Sequence, residues 1–490
     1  MLPSISRDPD LLQSFLSDAA HVPGGTATGV VFPSTTDEVV AIVAASDHVL
    51  AVGAQSSLTG GATPRGDLVL STRSLTRIDQ SAPGVVTVEA GVALVTLQAF
   101  LASRRLYYPP VPTFEGAFVG GTLATNAAGA ATFRYGSTRD WVDAITVVLA
   151  DGSILHLRRG DIRASEAHRF VIDTKTRGAV TVPLPTYTMP RVAKLSAGYF
   201  NAPRMDLVDL FVGSEGTLGV ITCATLRVIG RPRTCVALVI CESEAQALGL
   251  TAALRQEAMV VAIEYIDARS LRLVDDATIT RTGIVRPPGD ASVLLLQMDA
   301  SGEDDAALSR LQEIVEAGGV ARDPIVALPD DERTAARLFE LREAVPAAVN
   351  ARVGAAKAQV DSGIQKTAGD FVVPFDALPR ALVLYRNACE RRGLDYAIWG
   401  HVSDGNLHPN VIPRSLDEVV RGREALLEMA RGVIEMGGAP LAEHGVGRNT
   451  LKQSFLAAMY GEKGIEEMRA VKRALDPTWK LASGVLFAPA

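Results

Sequence analysis

Cysteine and histidine are both scarce in this chain. The four cysteines, Cys223, Cys235, Cys241 and Cys389, form no CxxC pair and no ladder, which excludes a disulfide framework and a thiolate zinc ribbon and fits a reducing compartment such as the cytoplasm. Long apolar runs are missing too. No stretch approaches the roughly 20 uninterrupted apolar residues of a membrane span, and the opening MLPSISRDPDLLQSFL carries acids early with no apolar core, so no secretory signal is expected. Basic excess is absent: 48 Lys and Arg face 55 Asp and Glu, a net charge of −7, and no broad cationic field invites nucleic acid. No fixed-period repeat and no low-complexity segment is found.

At 490 residues with 48% hydrophobic side chains, the chain is globular and long enough for two or three domains. FPSTTDEVVAIVAAS puts Thr35 and Glu38 at capping-box spacing ahead of an apolar run, so a helix starts there. VLAVG follows as a buried strand, then LVLST and VVTVEAGV as strands, TLQAFLASRRL as a helix, and AITVVLADGSILHLRR as a hairpin about Asp151-Gly152. The texture changes near residue 230. Beyond it strands (CVALVICES, AIEYID, SVLLLQMDA) alternate with helices (AQALGLTAALRQ, DDAALSRLQEIVEAG), which predicts a mixed sheet with helices on one face. Residues 445–477 read as helical and well charged. The fold class is α+β, divided as 1–230, 231–440 and 441–490.

Glycine is where the sequence is richest in information. The loop VGAQSSLTGGATP (52–64) follows a strand, yet it lacks the GK[ST] of a Walker loop and the helix that a GxGxxG fingerprint opens. Successive amides and hydroxyls there suit a pyrophosphate, although surface turns look similar. In residues 107–142, Gly120, Gly121, Ala124, Ala127, Ala128, Gly129 and Ala130 leave little side chain, so the backbone can approach a large flat ligand, or another element, closely. GSEGTLGVI (213–221) repeats the theme.

Two of the seven histidines, His401 and His408, flank one short turn in WGHVSDGNLHPNV (399–411). If Asp404-Gly405 forms a two-residue type I′ turn, His401 lies directly opposite His408, with Cβ atoms about 4.5–5.5 Å apart on one face. PLAEHGVGR (440–448) offers Glu443 beside a glycine turn. Two imidazoles and a carboxylate suit a borderline divalent ion in an open site. On the residues alone, Glu443 reads more readily as a solvated loop acid.

Taken together, FPSTTDEV, GAQSSLTGG, GGTLATNAAG…RYGSTRDWV, VGSEGTLGVIT, KTAGDFVVP, GHVSDGNLH, AEHGVG and a closing LDP…LF resemble, in order and over nearly the whole chain, the vanillyl-alcohol-oxidase/PCMH flavoprotein superfamily. The nearest branch is that of the D-lactate, glycolate and D-2-hydroxyglutarate dehydrogenases. The resemblance implies a PCMH-type FAD-binding domain (1–230), a ferredoxin-like substrate cap (231–440), and a C-terminal helical segment (441–490) that completes the active site and returns to the FAD domain. It implies FAD contacts from Gly53, Gln55, Ser56, Ser57, Thr59, Gly60, Gly61, Gly120, Gly121, Thr125, Gly129 and Val220. The first loop holds no His or Cys for covalent flavin attachment, so dissociable FAD is expected. The branch uses the matching His401, His408 and Glu443 for a metal, often zinc, and His444 matches its general base. Arg342 and Lys366 match its carboxylate contacts, with Asn410 a secondary candidate.

The implied reaction takes a D-2-hydroxyacid, of the D-lactate kind, to the 2-oxoacid. The metal lowers the hydroxyl pKa, His444 takes the proton, and the Cα hydrogen leaves as hydride to flavin N5. A quinone, a cytochrome, an electron-transfer flavoprotein or O₂ is the expected oxidant, and a homodimer and a peripheral contact with the inner membrane are both compatible with the chain. One departure stands out: many relatives end LNPG where this chain has Leu481-Ala482-Ser483-Gly484. Other oxidase chemistry on the scaffold and a non-catalytic flavin or electron-transfer subunit are the alternatives. The related alkyl-dihydroxyacetone-phosphate synthases carry consecutive histidines that this chain lacks.

Overall fold

The computed structural model describes residues 3–80, 82–110, 112, 114–302 and 306–489. Val111 and Thr113, part of the small-residue run, lie outside the described residues. The first half opens on β1 (Thr26–Val31), α1 (Thr36–Ala45), β2 (Val49–Val52) and β3 (Arg65–Ser71), with the strands parallel in the order β1-β3-β2. Thr35 caps α1 by accepting from the Glu38 amide at 3.2 Å. The Glu38 carboxylate reaches back one residue further than a capping box requires, to the Ser34 amide and hydroxyl at 2.7 and 2.9 Å.

A second, antiparallel sheet comprises β4 (Ile78–Asp79), β5 (Val85–Glu89), β6 (Val142–Val148), β7 (Ile154–Arg158) and, after the hairpin β8 (Arg169–Thr174) and β9 (Gly178–Pro183), the strand β10 (Val220–Arg227). Its order is β4-β5-β10-β6-β7. Helices α2 (Leu94–Ala102) and α3 (Val119–Thr125) connect β5 to β6. Within the small-residue run, Val119–Thr125 therefore forms a short helix packed against β5 and β10, with Val119 and Leu123 buried.

The second half is one large sheet built from β11 (Thr234–Cys241), β12 (Val260–Ile266), β13 (Ser292–Asp299), β14 (Ile325–Ala327), β15 (Thr367–Ala368), β16 (Phe371–Val372), β17 (Tyr396–His401) and β18 (Asn406–Val411). The order is β14-β11-β13-β12-β17-β18-β15, with β16 also on β18. Every pairing in it is antiparallel, so the sheet expected to be mixed is not. Helices also cover both faces rather than one. Cys235, Ala237 and Val239 of β11 point to α4 (Glu244–Leu254), α7 (Ala306–Ala317), α9 (Leu378–Glu390) and α10 (Leu416–Glu435), whereas Val236 and Leu238 point to α5 (Ala268–Leu273), α6 (Asp276–Thr282) and α8 (Glu332–Gln359). That two-sided cover explains why β12, VVAIEYI, is buried at every position and shows no alternation.

Residues 450–475 form α11 (Thr450–Leu475), two helical segments that meet at a kink on Gly461, φ 67°. The chain then returns to the first half: the Val49 amide donates to Lys480 O and the Ala482 amide to Val49 O, both at 2.9 Å. Among the described residues no helix is long and apolar enough to cross a membrane.

The hairpin β17-β18 departs from the expected register. His401 pairs with Asn406, and Trp399 stands opposite His408. A two-residue type I′ turn needs positive φ at both central residues, but of Asp404 and Gly405 only Gly405 has it, φ 81°. Val402–Asp404 instead wind into a 3₁₀ turn that Gly405 closes. The correction amounts to two residues, an even shift, so both imidazoles keep the same face of the sheet.

Gly405 is fixed twice over. Its φ is left-handed, and a Cβ there would stand 2.1 Å from Val373 O. Gly405→Ala is expected to lower stability by more than about 2 kcal/mol, read as a drop in melting temperature; an unchanged melting temperature would show that the turn can rearrange.

Candidate functional site

Two features converge at the centre of the molecule: a long cleft in the first half and a polar cluster on the second sheet. The cleft is walled by the loop after β2, including Gly53, Gln55, Ser56, Ser57 and Gly61, by Gly121 and Thr125 of α3, and by Val220 at the start of β10. Gly120 also borders it, but for a different reason. A Cβ on Gly120 would meet the Ala90 Cβ at 2.7 Å, so its glycine serves packing, whereas a Cβ on Gly121 meets nothing within 4 Å and would project into free space. Gln55 adopts φ 57°, commits its side-chain amide to Ser14 O and Ser17 O, both at 2.9 Å, and accepts from the Ala19 amide through its carbonyl at 2.9 Å. Thr59, Gly60 and Gly129 stand behind the lining: Thr59 O accepts from the Arg448 amide, and the Gly129 amide donates to Thr132 Oγ1.

Glu443 and His444 form the far end of the same cleft. The turn that carries them is held on both sides. Glu215, in the left-handed region at φ 51°, donates its own amide to Ala124 O at 2.7 Å and accepts from the Val446 and Gly447 amides at 2.7 and 2.8 Å. Burial pushes its carboxyl up to about 7 despite those donors. Asp370 accepts from the Glu443 and His444 amides at 3.0 and 2.9 Å and faces His444 Nδ1 at 3.2 Å. Burial alone would raise the Asp370 carboxyl, but His444, Lys452 and His408 together hold it well below the usual range.

Sheet register assembles the rest. Glu264 of β12 pairs with His401, which pairs with Asn406, and His408 lies two residues beyond Asn406, so all four side chains share the face covered by α8. Glu443 Oε1 then lies 3.4 Å from His401 Nε2, 3.4 Å from His408 Nε2 and 3.5 Å from His444 Nε2. His401 Nδ1 is 2.9 Å from Glu264 Oε1, while its buried Nε2 has no hydrogen-bond partner among the described residues. Burial pulls the His401 imidazole down, yet Glu264 and Glu443 outweigh it and bring it up to about 9; burial prevails at His408, pulled down to about 3.

The sequence candidates thus separate. His401, His408, Glu443 and His444 come together. Arg342 of α8 is buried behind them, 3.5 Å from Glu264 Oε1 and 2.9 Å from Glu343 Oε1. Lys366 keeps an exposed side chain whose ammonium lies 5.6 Å from the Trp399 ring centre, crowded enough to pull it down to about 8. Asn410 is buried and donates to His408 O at 2.8 Å.

Four groups escaped sequence reasoning. Glu264 carried a signal, being the only charge in an otherwise apolar strand. Asp370 and Glu215 sat inside quoted motifs without being singled out. Lys194, in RVAKLSAGYF, reads as an ordinary surface lysine yet is buried, with Glu443 Oε2 and Asp404 Oδ2 each 3.1 Å from its Nζ. Burial lowers its ammonium pKa, but the two carboxylates more than restore it.

Comparison with known proteins gives consistent matches. Residues 231–486 match the domain described as FAD linked oxidases, C-terminal domain, and residues 27–158 match the FAD binding domain. The chain is 30% identical over 461 residues to a probable mitochondrial D-lactate dehydrogenase of Danio rerio, covering 91% of this chain and 82% of that one. It is 28% identical over 471 residues to glycolate oxidase subunit GlcD of Bacillus subtilis, 94% of this chain and 88% of the relative. A D-2-hydroxyglutarate dehydrogenase of Xanthomonas citri is also 28% identical, over 94% of this chain and 89% of its own. Among solved structures, an alkyldihydroxyacetonephosphate synthase superposes with a TM-score of 0.65 at 14% identity over 94% of this chain and 77% of that chain, a likeness of fold alone.

The open space at Gly121 supplies a direct test of the cleft. Gly121→Leu should fold normally and lose most of the flavin absorbance of the purified protein; full flavin content in that variant would place the cofactor elsewhere.

Proposed function

Because the chain belongs to the FAD-linked oxidase family and is an enzyme of that family, we propose that it oxidises a D-2-hydroxyacid of the D-lactate type to the 2-oxoacid, using dissociable FAD and a divalent metal, best read as zinc. The observation that carries this reading is the single Glu443 oxygen set 3.4 Å from two histidine Nε2 atoms at the end of the cleft.

Both groups suit the residues present. For FAD, the supporting features are the side-chain-free wall at Gly121 and a lining that holds no cysteine and one histidine, His444, which the reading needs as a base. For the metal, the buried His401 Nε2 has no hydrogen-bond partner among the described residues and is available to ligate. A tetrahedron with bonds of about 2.0–2.1 Å has edges of about 3.3–3.4 Å, close to the two separations above. Glu264 holds His401 by Nδ1, which fixes the tautomer that leaves Nε2 free to ligate. When bound, FAD supplies the hydride acceptor. The metal supplies a Lewis acid that makes the substrate hydroxyl more acidic.

The chain's own residues do the remainder. His444, which lines the cleft with its Nδ1 beside Asp370, removes the hydroxyl proton. Lys366, by the Trp399 ring, and Arg342, beside Glu264, supply the cations for the substrate carboxylate. The reading takes a quinone, a cytochrome or an electron-transfer flavoprotein as the final acceptor, and a cytoplasmic protein, able to dimerise or to touch a membrane peripherally.

Anaerobic stopped-flow absorbance tests the proposal. D-2-hydroxyacids should bleach the flavin, more slowly after chelation, and His444→Ala should keep flavin and metal while reducing flavin about 10²–10⁴-fold more slowly; no bleaching by any 2-hydroxyacid overturns the proposal. In a metal titration of the chelated protein, Glu264→Ala should raise the Kd about 10–100-fold, and an unaltered Kd removes Glu264 from the site. Lys366 is cationic below about pH 8 and neutral above it. The value of kcat/KM should therefore fall as pH rises through that point, with Lys366→Arg moving the decline to higher pH; an identical profile would show that the carboxylate is held elsewhere.

A further inference from the structure

Lys194 belongs to the first half of the chain, in the connection between β9 and the helical turn Leu207–Phe211. It is 1% exposed, and it crosses to the second half to end among three acceptors. Its Nζ donates to Glu443 Oε2 at 3.1 Å and to Asn406 Oδ1 at 3.4 Å, and it is ion-paired with Asp404 at 3.1 Å. The two oxygens of Glu443 thereby have different surroundings. Oε2 faces an ammonium, and Oε1 faces the imidazoles of His401, His408 and His444.

We infer that Lys194 is a positioning residue that engages one oxygen of Glu443, so that this carboxylate serves the metal through a single oxygen and leaves coordination positions open for the substrate. The inference rests on the metal-dependent reading given above. A carboxylate can bind a cation through one oxygen or two, and a buried oxygen with no donor is costly. Without Lys194, the lowest-cost partner for Oε2 is the metal itself, and a chelating Glu443 would occupy a position that the substrate needs. A 2-hydroxyacid offers two oxygens, the hydroxyl and one of the carboxylate, on adjacent carbons. It profits from two open positions where an ordinary alcohol would use one. Lys194 therefore favours substrates able to chelate, and it does so from the flavin-binding half of the molecule.

The test uses the FAD-loaded protein, chelated and then reloaded with Co²⁺, whose visible absorption reports coordination number. Wild type and Lys194→Met should each take up one Co²⁺ per chain. The variant should show the weaker, shifted bands of a higher coordination number, a blunted spectral response to D-lactate, and a KM raised about tenfold or more with a smaller change in kcat. Wild-type bands and a wild-type D-lactate response in Lys194→Met would overturn the inference. Failure of the wild type to bind Co²⁺ would instead overturn the metal reading on which it stands. If Lys194→Met does not fold, X-ray absorption and a crystal structure of the Co²⁺-loaded wild type decide: Glu443 bound through one oxygen with Lys194 on the other supports the assignment, and two-oxygen binding refutes it.

Discussion

A single buried carboxylate, Asp370, organises the candidate site. It gathers the amides of Glu443 and His444 and lies beside His444 Nδ1, so the two side chains of the AEHGVG turn that face the cleft hang from one acceptor. Its own position follows from the sheet. Pro409 in β18 has no N–H to give, and the edge chain separates there into β15 and β16, with Gly369 and Asp370 between them. The freed residue turns its carboxylate toward the loop. A proline that would weaken a strand elsewhere thus makes room for the anchor of the turn.

The sequence revealed the kinds of element well and the way they meet less well. Thr35 announced its helix, Asp151-Gly152 its hairpin, and the glycine-rich runs the walls of a cleft, because each of these signals is local. Two misreadings share a cause. The 401–408 hairpin was expected to turn on two residues, but Asp404 is drawn to Lys194 and the Ser403 hydroxyl to the Ile263 amide, so tertiary contacts hold a wider turn. The second sheet was expected to be mixed with helices on one side, because strand and helix alternate along the chain; that alternation does not reveal which way neighbouring strands run. The imidazole pair remained legible because side chains alternate along a strand and the register error was even. Lys194 was not legible at all, since its partners lie more than two hundred residues away.

The two halves meet through backbone as much as through side chains. Glu215 in the cleft wall takes the Val446 and Gly447 amides, Arg448 donates to Ser483 O and pairs with Asp67 at 3.1 Å, and Gly447 abuts Thr59 so closely that a Cβ would come within 2.3 Å of its hydroxyl oxygen. The cleft wall and the AEHGVG turn are therefore joined by direct contacts. A ligand that orders either side lowers the ordering cost for the other.

The return of the chain to β2 carries a consequence for biosynthesis. Val49 finds its partners in Lys480 and Ala482, and the cleft wall at Glu215 finds its partners in Val446 and Gly447. A ribosome-bound chain can collapse its first two hundred residues early, but that intermediate has an open seam where the last segment belongs. That seam can close only after translation has passed these distal residues.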